Sequence, residues 1–202
     1  MIPAGPGAGA ADGPGVEWAA RFRAPFPRSW YDRPTLRVAR DLLGSYLVRR
    51  TEGALAIARI VETEGYVARD PASHAFRGPT PRNRSMFGRA GTLYVFRIHQ
   101  VHCANVVTRP GEAVLLRAAE PVAPAGAGTS GPGRLARAFG ITRAEDGLDL
   151  TRSELRVLPG PRPKEGIVRA PRVGISRAKE PLYRFAIRDD RWVSRPRPAR
   201  IT

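Results

Sequence analysis

Cysteine and lysine are nearly missing from this chain. The lone cysteine, Cys103, rules out an internal disulfide and any zinc site that needs several thiolates. Lysine occurs only at Lys164 and Lys179, so arginine carries almost all of the positive charge. No apolar run approaches the length of a membrane-spanning helix. The opening stretch MIPAGPGAGAADGPG lacks the positive start and apolar middle of a secretory signal. These absences point to a reducing compartment, so a cytoplasmic protein is expected. Acidic residues are scarce too: 18 Asp and Glu stand against 34 basic residues, a formal net charge of +16. Codon bias in an Arg-rich genome accounts for the choice of arginine over lysine but not for that imbalance. Such an excess predicts an anionic partner, most commonly nucleic acid. At 202 residues the chain suits one domain with a real core rather than two.

Residues 1–17 are rich in Gly, Ala and Pro without periodicity and read as a flexible tail. Trp18, Phe22, Phe26 and Trp30 recur at near-helical spacing and suggest a short anchoring helix. Asp32 to Leu43 reads as the clearest helix, with Asp32 or Thr35 as its cap, Pro34 in its first turn and Gly44 as its stop. Strands are expected at Ser45–Arg50, Ala54–Glu64, Leu93–Ile98, Val101–Thr108, Ala113–Ala119, Leu155–Leu158, Ile167–Ala170, Arg172–Ile175 and Tyr183–Arg188. Thr51-Glu52-Gly53 supplies a tight turn between the first two. Gly65 to Ala90 reads as a long loop, and loops of that length are usually functional. A short helix is expected at Gly133–Phe139. The Pro- and Arg-rich end, 196–202, reads as a basic tail. Short consecutive strands with few helices predict an α+β fold: one compact domain on a mostly antiparallel or mixed curved sheet.

The stretch IARIVETEGY, Ile57 to Tyr66, organises the rest. Alternation places Ile60, Glu62, Glu64 and Tyr66 on one side of an extended segment. The two carboxylates are then about 6–7 Å apart on one face. Acidic groups in an otherwise apolar strand are costly to bury. Either they pair with arginine, or one is a general base at a strand end.

Further along come PASHAFRG, TPRNRSMFG, GTLYVF, AVLLRAAEPV, GPGRL, DGLDL, PRVGIS and WVSR. With VETEGY, and in this order, they resemble the alkyladenine (3-methyladenine) DNA glycosylase family over about Arg28 to Arg195. The resemblance implies a catalytic domain over 18–195 that flips an alkylated purine such as 3-methyladenine out of double-stranded DNA and hydrolyses its N-glycosidic bond. Hypoxanthine and ethenoadenine are further candidate substrates. It implies that Glu64 activates water, that Glu62 is structural, and that Arg117 and the backbone carbonyl of Val173 help to hold the water. Tyr66, His74 and Phe96 would form the pocket that sandwiches the base. Phe96 stands where tyrosine is frequent in the family and lacks its hydroxyl. Asn105 would stand where guanine's extra amino group would go. His99 falls near the residue that fills the gap left by the flipped base, although one residue fewer separates Phe96 from Asn105 than in familiar members. Arg97, Ile98 and Gln100 are the alternatives for that wedge.

No metal or organic cofactor is implied, and a monomer is expected. His99 and His102 have an H-x-x-H spacing, but strand residues three apart point to opposite faces. Two rival readings are a damaged-DNA-binding module with little catalysis and a carbohydrate-active hydrolase using both glutamates.

Overall fold

The computed structural model describes residues 24–98, 100–123 and 128–198. Positions 1–17, Trp18, Phe22 and His99, singled out above, lie outside the described residues. In chain order the elements are α1 (Arg28–Tyr31), α2 (Thr35–Asp41), β1 (Tyr46–Thr51), β2 (Ala54–Tyr66), β3 (Leu93–Ile98), β4 (Val101–Arg109), β5 (Glu112–Ala123), α3 (Pro132–Ala138), β6 (Leu155–Leu158), β7 (Ile167–Ala170) and β8 (Arg184–Ile187). All the strand pairings are antiparallel. The sheet runs β3-β4-β5-β2-β1-β6, and β8 joins β2 while pairing on its other side with β7. The architecture is α+β, as the strand pattern predicts. No helix among the described residues is long and apolar enough to cross a membrane.

β2 is the spine. Along one edge it pairs with β5 over most of its length. Along the other, β1 covers Ala54 to Arg59 and β8 covers Glu62 to Glu64. A branched sheet of this kind needs β2 to turn between its two halves, and bulges do that. Ile60 faces Ala119 while Glu62 faces Ala118, so Val61 is an inserted residue on β2. Glu62 faces Ala118 while Thr63 faces Leu116, so Arg117 is an inserted residue on β5. Adjacent residues of β5 point to opposite faces, so the first bulge breaks the simple alternation. Ile60 joins the main core with Val38, Leu42 and Leu116, and Glu62 turns away from it. Thr63 faces α2, its hydroxyl donating to the Ala39 carbonyl at 2.7 Å.

Several elements depart from expectation for local reasons. The helix expected over Asp32–Leu43 is shorter, α2 over Thr35–Asp41, and α1 is a separate turn before it. Pro34, rather than Asp32 or Thr35, occupies the N-cap position of α2 and has no side chain to cap it. The Thr35 hydroxyl is engaged instead by Thr108 at 2.7 Å and by Glu112. Phe26 and Trp30 stack at 3.7 Å between ring centres and anchor α1. The loop expected from Gly65 starts later, because Gly65 and Tyr66 continue β2 against Val114 and Ala113. Within it lies a short 3-10 turn, Arg84–Phe87. Arg172–Ile175 is not a strand; it is an irregular segment packed against the end of β2. Past Arg195, Arg197 donates to the Arg191 carbonyl at 3.0 Å, and 199–202 lie outside the described residues.

Two glycines permit a backbone crossing that no other residue would allow. Gly44 ends the turn after α2 at φ +87°, and a Cβ there would stand 2.3 Å from the Pro161 carbonyl oxygen. A Cβ on Gly160 would stand 1.9 Å from the Gly44 carbonyl oxygen. Backbone on both sides leaves nothing to swing aside. Gly160→Ala is expected to destabilise the fold by about 1–3 kcal/mol in urea unfolding. Stability equal to the parent protein would mean that the crossing is looser than this geometry.

Candidate functional site

The two carboxylates of β2 have different company. Glu62 is fully buried. Its Oε1 accepts from Arg117 Nε at 3.0 Å and from Arg184 Nε at 2.6 Å, and its Oε2 accepts the Ser194 N–H at 2.7 Å. Arg184 Nη2 also donates to the Ser194 carbonyl at 3.0 Å, and Arg117 Nη2 donates to the Ser194 hydroxyl at 3.1 Å. Glu62 is thus the arginine-paired carboxylate, and it ties the C-terminal segment to the sheet. Removing one member would strand the other charges away from water.

Glu64 is also fully buried, yet its partners are fewer. Its Oε1 accepts the Val173 N–H at 2.8 Å and lies 3.3 Å from Arg117 Nη1. Its Oε2 accepts only the Tyr66 hydroxyl, at 3.0 Å, among the described residues. A carboxylate oxygen has room for a second donor. Burial pushes the Glu64 carboxyl above the usual carboxylate range, against the opposing pull of Arg117, the Val173 N–H and the Tyr66 hydroxyl. Arg117 reaches both glutamates because its bulge lifts it out of the regular pleat of β5. Expectation gave Val173 a role through its carbonyl; the contact that the structure contains is through its N–H.

Tyr66, Arg117 and Val173, which bond the Glu64 carboxylate, all line one cleft of ≈ 1140 Å³. The same cleft is lined by His74, Phe96 and Asn105, so every expected site residue except Glu64 itself and the undescribed His99 borders it. Glu64 lies directly behind that wall. Six arginines line the cleft: Arg77, Arg82, Arg97, Arg117, Arg143 and Arg177. No Asp or Glu is among the described lining residues.

Of the three residues expected to sandwich the base, two share one side of the cleft. His74 and Phe96 pack edge to face at 4.4 Å between ring centres, too close to admit a base between them. They form one wall together. Tyr94, which the sequence did not single out, supports that wall. Its hydroxyl pairs with His74 Nδ1 at 2.9 Å, and its ring lies 5.8 Å from that of Phe96. Partial burial holds the imidazole below its usual range. The loop behind His74 is fixed by Asn83. Its side-chain amide donates to the His74 carbonyl at 2.8 Å and the Gly78 carbonyl at 3.2 Å, and its oxygen accepts the Thr80 N–H at 2.6 Å. Asn105 is buried and donates to the carbonyls of Tyr94 at 3.0 Å and Cys103 at 3.2 Å. Its amide is held in a fixed orientation at the cleft. The hairpin of β3 and β4 closes beyond the Ile98–Val101 pair, with Gln100 at φ +67° and Ile98 48% exposed on the cleft rim.

Chemically, the site offers a buried carboxylate with an open acceptor position, next to aromatic walls and a cationic mouth. The described residues contain no cluster of His, Cys, Asp or Glu arranged to hold a metal ion. The two-glutamate hydrolase reading loses its second carboxylate, since Glu62 is enclosed by Arg117, Arg184 and the Ser194 N–H.

Comparison with known proteins follows the same direction. The Methylpurine-DNA glycosylase family model matches residues 29–191. A protein of Anaeromyxobacter dehalogenans strain 2CP-C is 48% identical over 181 residues, covering 85% of this chain and 87% of its own length. One from Methanoculleus marisnigri is 46% identical over 189 residues, covering 84% of this chain and 98% of its own length. One from Myxococcus xanthus is 46% identical over 187 residues, covering 86% and 96% respectively. Each of the three carries the name "Putative 3-methyladenine DNA glycosylase".

The raised Glu64 carboxyl has a stability consequence. Between the ordinary glutamate value and the raised one, the folded state holds a proton that the unfolded chain has released. Stability from this group therefore falls as pH rises through that window. Glu64→Gln, which carries no such charge, should be more stable than the parent at neutral pH, and the gap should close as pH falls below the ordinary carboxylate range. Urea unfolding across pH measures this. A variant less stable at neutral pH would show that the ionised carboxylate is held favourably.

Proposed function

Because the chain belongs to the Methylpurine-DNA glycosylase family, we propose that it is a monofunctional DNA glycosylase that removes alkylated purines such as 3-methyladenine from duplex DNA. The observation that carries the mechanism is Glu64, buried behind the cleft wall with one oxygen still open to a donor. Cleavage of an N-glycosidic bond passes through a transition state that resembles a sugar oxocarbenium ion, and water must be deprotonated as it attacks. Glu64 Oε2 takes the proton. The water oxygen bonds to C1′ of the sugar, the C1′–N bond breaks, and its electron pair leaves with the base. Arg117 and the Val173 N–H keep the carboxylate oriented and favour its ionised form against burial.

One carboxylate suffices because of the substrate. A purine alkylated at a ring nitrogen is a cation in the nucleotide and leaves as a neutral base, so it needs no acid to protonate it. A neutral lesion such as hypoxanthine or ethenoadenine lacks that advantage and is the more demanding substrate. The target atom is hidden in a duplex, so the nucleotide must rotate out into the cleft. The arginine mouth suits the phosphates on either side. Tyr66 offers a stacking face, Asn105 stands against guanine's extra amino group, and the wall of His74 and Phe96 closes the pocket. Ile98, exposed at the hairpin rim, is the described residue best placed to fill the vacated stack. Neither Lys164 nor Lys179 borders the cleft, so no lysine is at hand to form an imine with the sugar.

Glu64→Gln should abolish base release from methylated duplex DNA while keeping its affinity for the lesion, since only proton acceptance is lost. Base release that persists in this variant would remove Glu64 from the mechanism. A covalent adduct captured by borohydride during turnover of the parent protein would instead point to an amine nucleophile.

A further inference from the structure

Against Tyr66 sits a buried ion pair that the mechanism above does not use. The Arg172 side chain is fully enclosed. Its guanidinium lies 4.7 Å from the centre of the Tyr66 ring and 5.3 Å from that of Tyr183. Asp70 takes both of its terminal nitrogens, Nη2 at 3.1 Å. Arg172 also donates to the Gly65 carbonyl at 3.1 Å and the Ala178 carbonyl at 3.3 Å. Its Nε has no partner among the described residues. Tyr66 borders the cleft, whereas Arg172 and Asp70 do not. The ring thus borders the cleft while a permanent cation that does not border it lies against the ring.

A buried ion pair is an expensive way to pack a ring, since apolar residues of similar size fill such a site with no loss of stability. Its electrostatic effect on the ring is specific. A cation draws π-electron density toward its own face and leaves the opposite face less negative, so a second cation gains less from stacking there. Asp70 offsets this by cancelling most of the direct repulsion between Arg172 and a cationic base. We propose that the Arg172–Asp70 pair is a specificity-determining element that sets, through Tyr66, the balance between cationic and neutral flipped bases. The pair selects by charge, complementing the selection by shape at Asn105. Without it Tyr66 would favour alkylated cations more strongly, and neutral lesions would be excluded more sharply. This rests on the glycosylase reading above, with the flipped base lying against Tyr66.

The test is competition binding with two duplexes, one holding 7-methyladenine, a cation, and the other hypoxanthine, which is neutral. Both lesions are carried on a 2′-fluoroarabinose sugar, so that neither is excised. Removing the cation with Arg172→Met should shift the binding ratio about two- to fivefold toward the cationic lesion, the size of an ordinary cation–π contribution. Removing its counter-ion with Asp70→Asn should shift the ratio the other way. Arg172→Lys keeps the charge and should leave the ratio near that of the parent even where overall affinity drops. A purely structural role would weaken both lesions together in all three variants. Equal losses, or shifts of the same sign in Arg172→Met and Asp70→Asn, overturn the proposal. If Arg172→Met does not fold, the sign of the Asp70→Asn shift decides alone. Failure of the parent protein to prefer either lesion over undamaged duplex would overturn the glycosylase reading itself.

Discussion

The structure depends on one arginine placed at a bulge between two buried carboxylates. Arg117 leaves the regular pleat of β5 and reaches Glu62 with Nε and Glu64 with Nη1. Two like charges a few ångströms apart in a dry interior would otherwise drive one another toward the neutral form. Arg117 and Arg184 together balance both glutamates. The balance is uneven by construction: Glu62 takes two arginines and a backbone N–H, whereas Glu64 keeps an oxygen with a single donor. The same polypeptide thus makes one carboxylate a tether for the C-terminal segment and leaves the other an oxygen with room for a further donor.

The charge pattern of the cleft follows the same division of labour. All acid is kept behind the described wall, and the wall itself carries arginine. The mouth therefore presents positive charge to an approaching anion, and Glu64 is screened from it by Tyr66, Arg117 and Val173. That separation keeps a strongly basic surface and a buried glutamate within one site. Family membership agrees with the site of a DNA glycosylase.

Much of this was legible from residue order alone, for physical reasons. Strands such as Leu93–Ile98 and Leu155–Leu158 carry their signal in local alternation, and the structure places them at those positions. What alternation could not reveal is the pair of bulges. A one-residue insertion leaves no mark on composition, so the opposite facing of Ile60 and Glu62 was hidden. Arg172–Ile175 reads as a strand because Val and Ile dominate it, but Arg172 is drawn to Asp70 and Tyr66, and the Val173 N–H goes to Glu64 rather than to a neighbouring strand. Tyr94 and Asn83 act by propping residues already suspected. Their value lies in contacts distant in sequence, such as Tyr94 with His74, for which spacing offers no cue.

The central claim is that Glu64 directs a single displacement by water at C1′, with no covalent intermediate. Carrying out base release in aqueous methanol tests it directly, because methanol competes with water and leaves a stable methyl glycoside whose configuration records the face of attack. Direct displacement predicts inversion, so the trapped 2-deoxyriboside should have the α configuration at C1′. A β product would require two successive displacements through a covalent sugar–enzyme intermediate, and would contradict the role assigned here to Glu64.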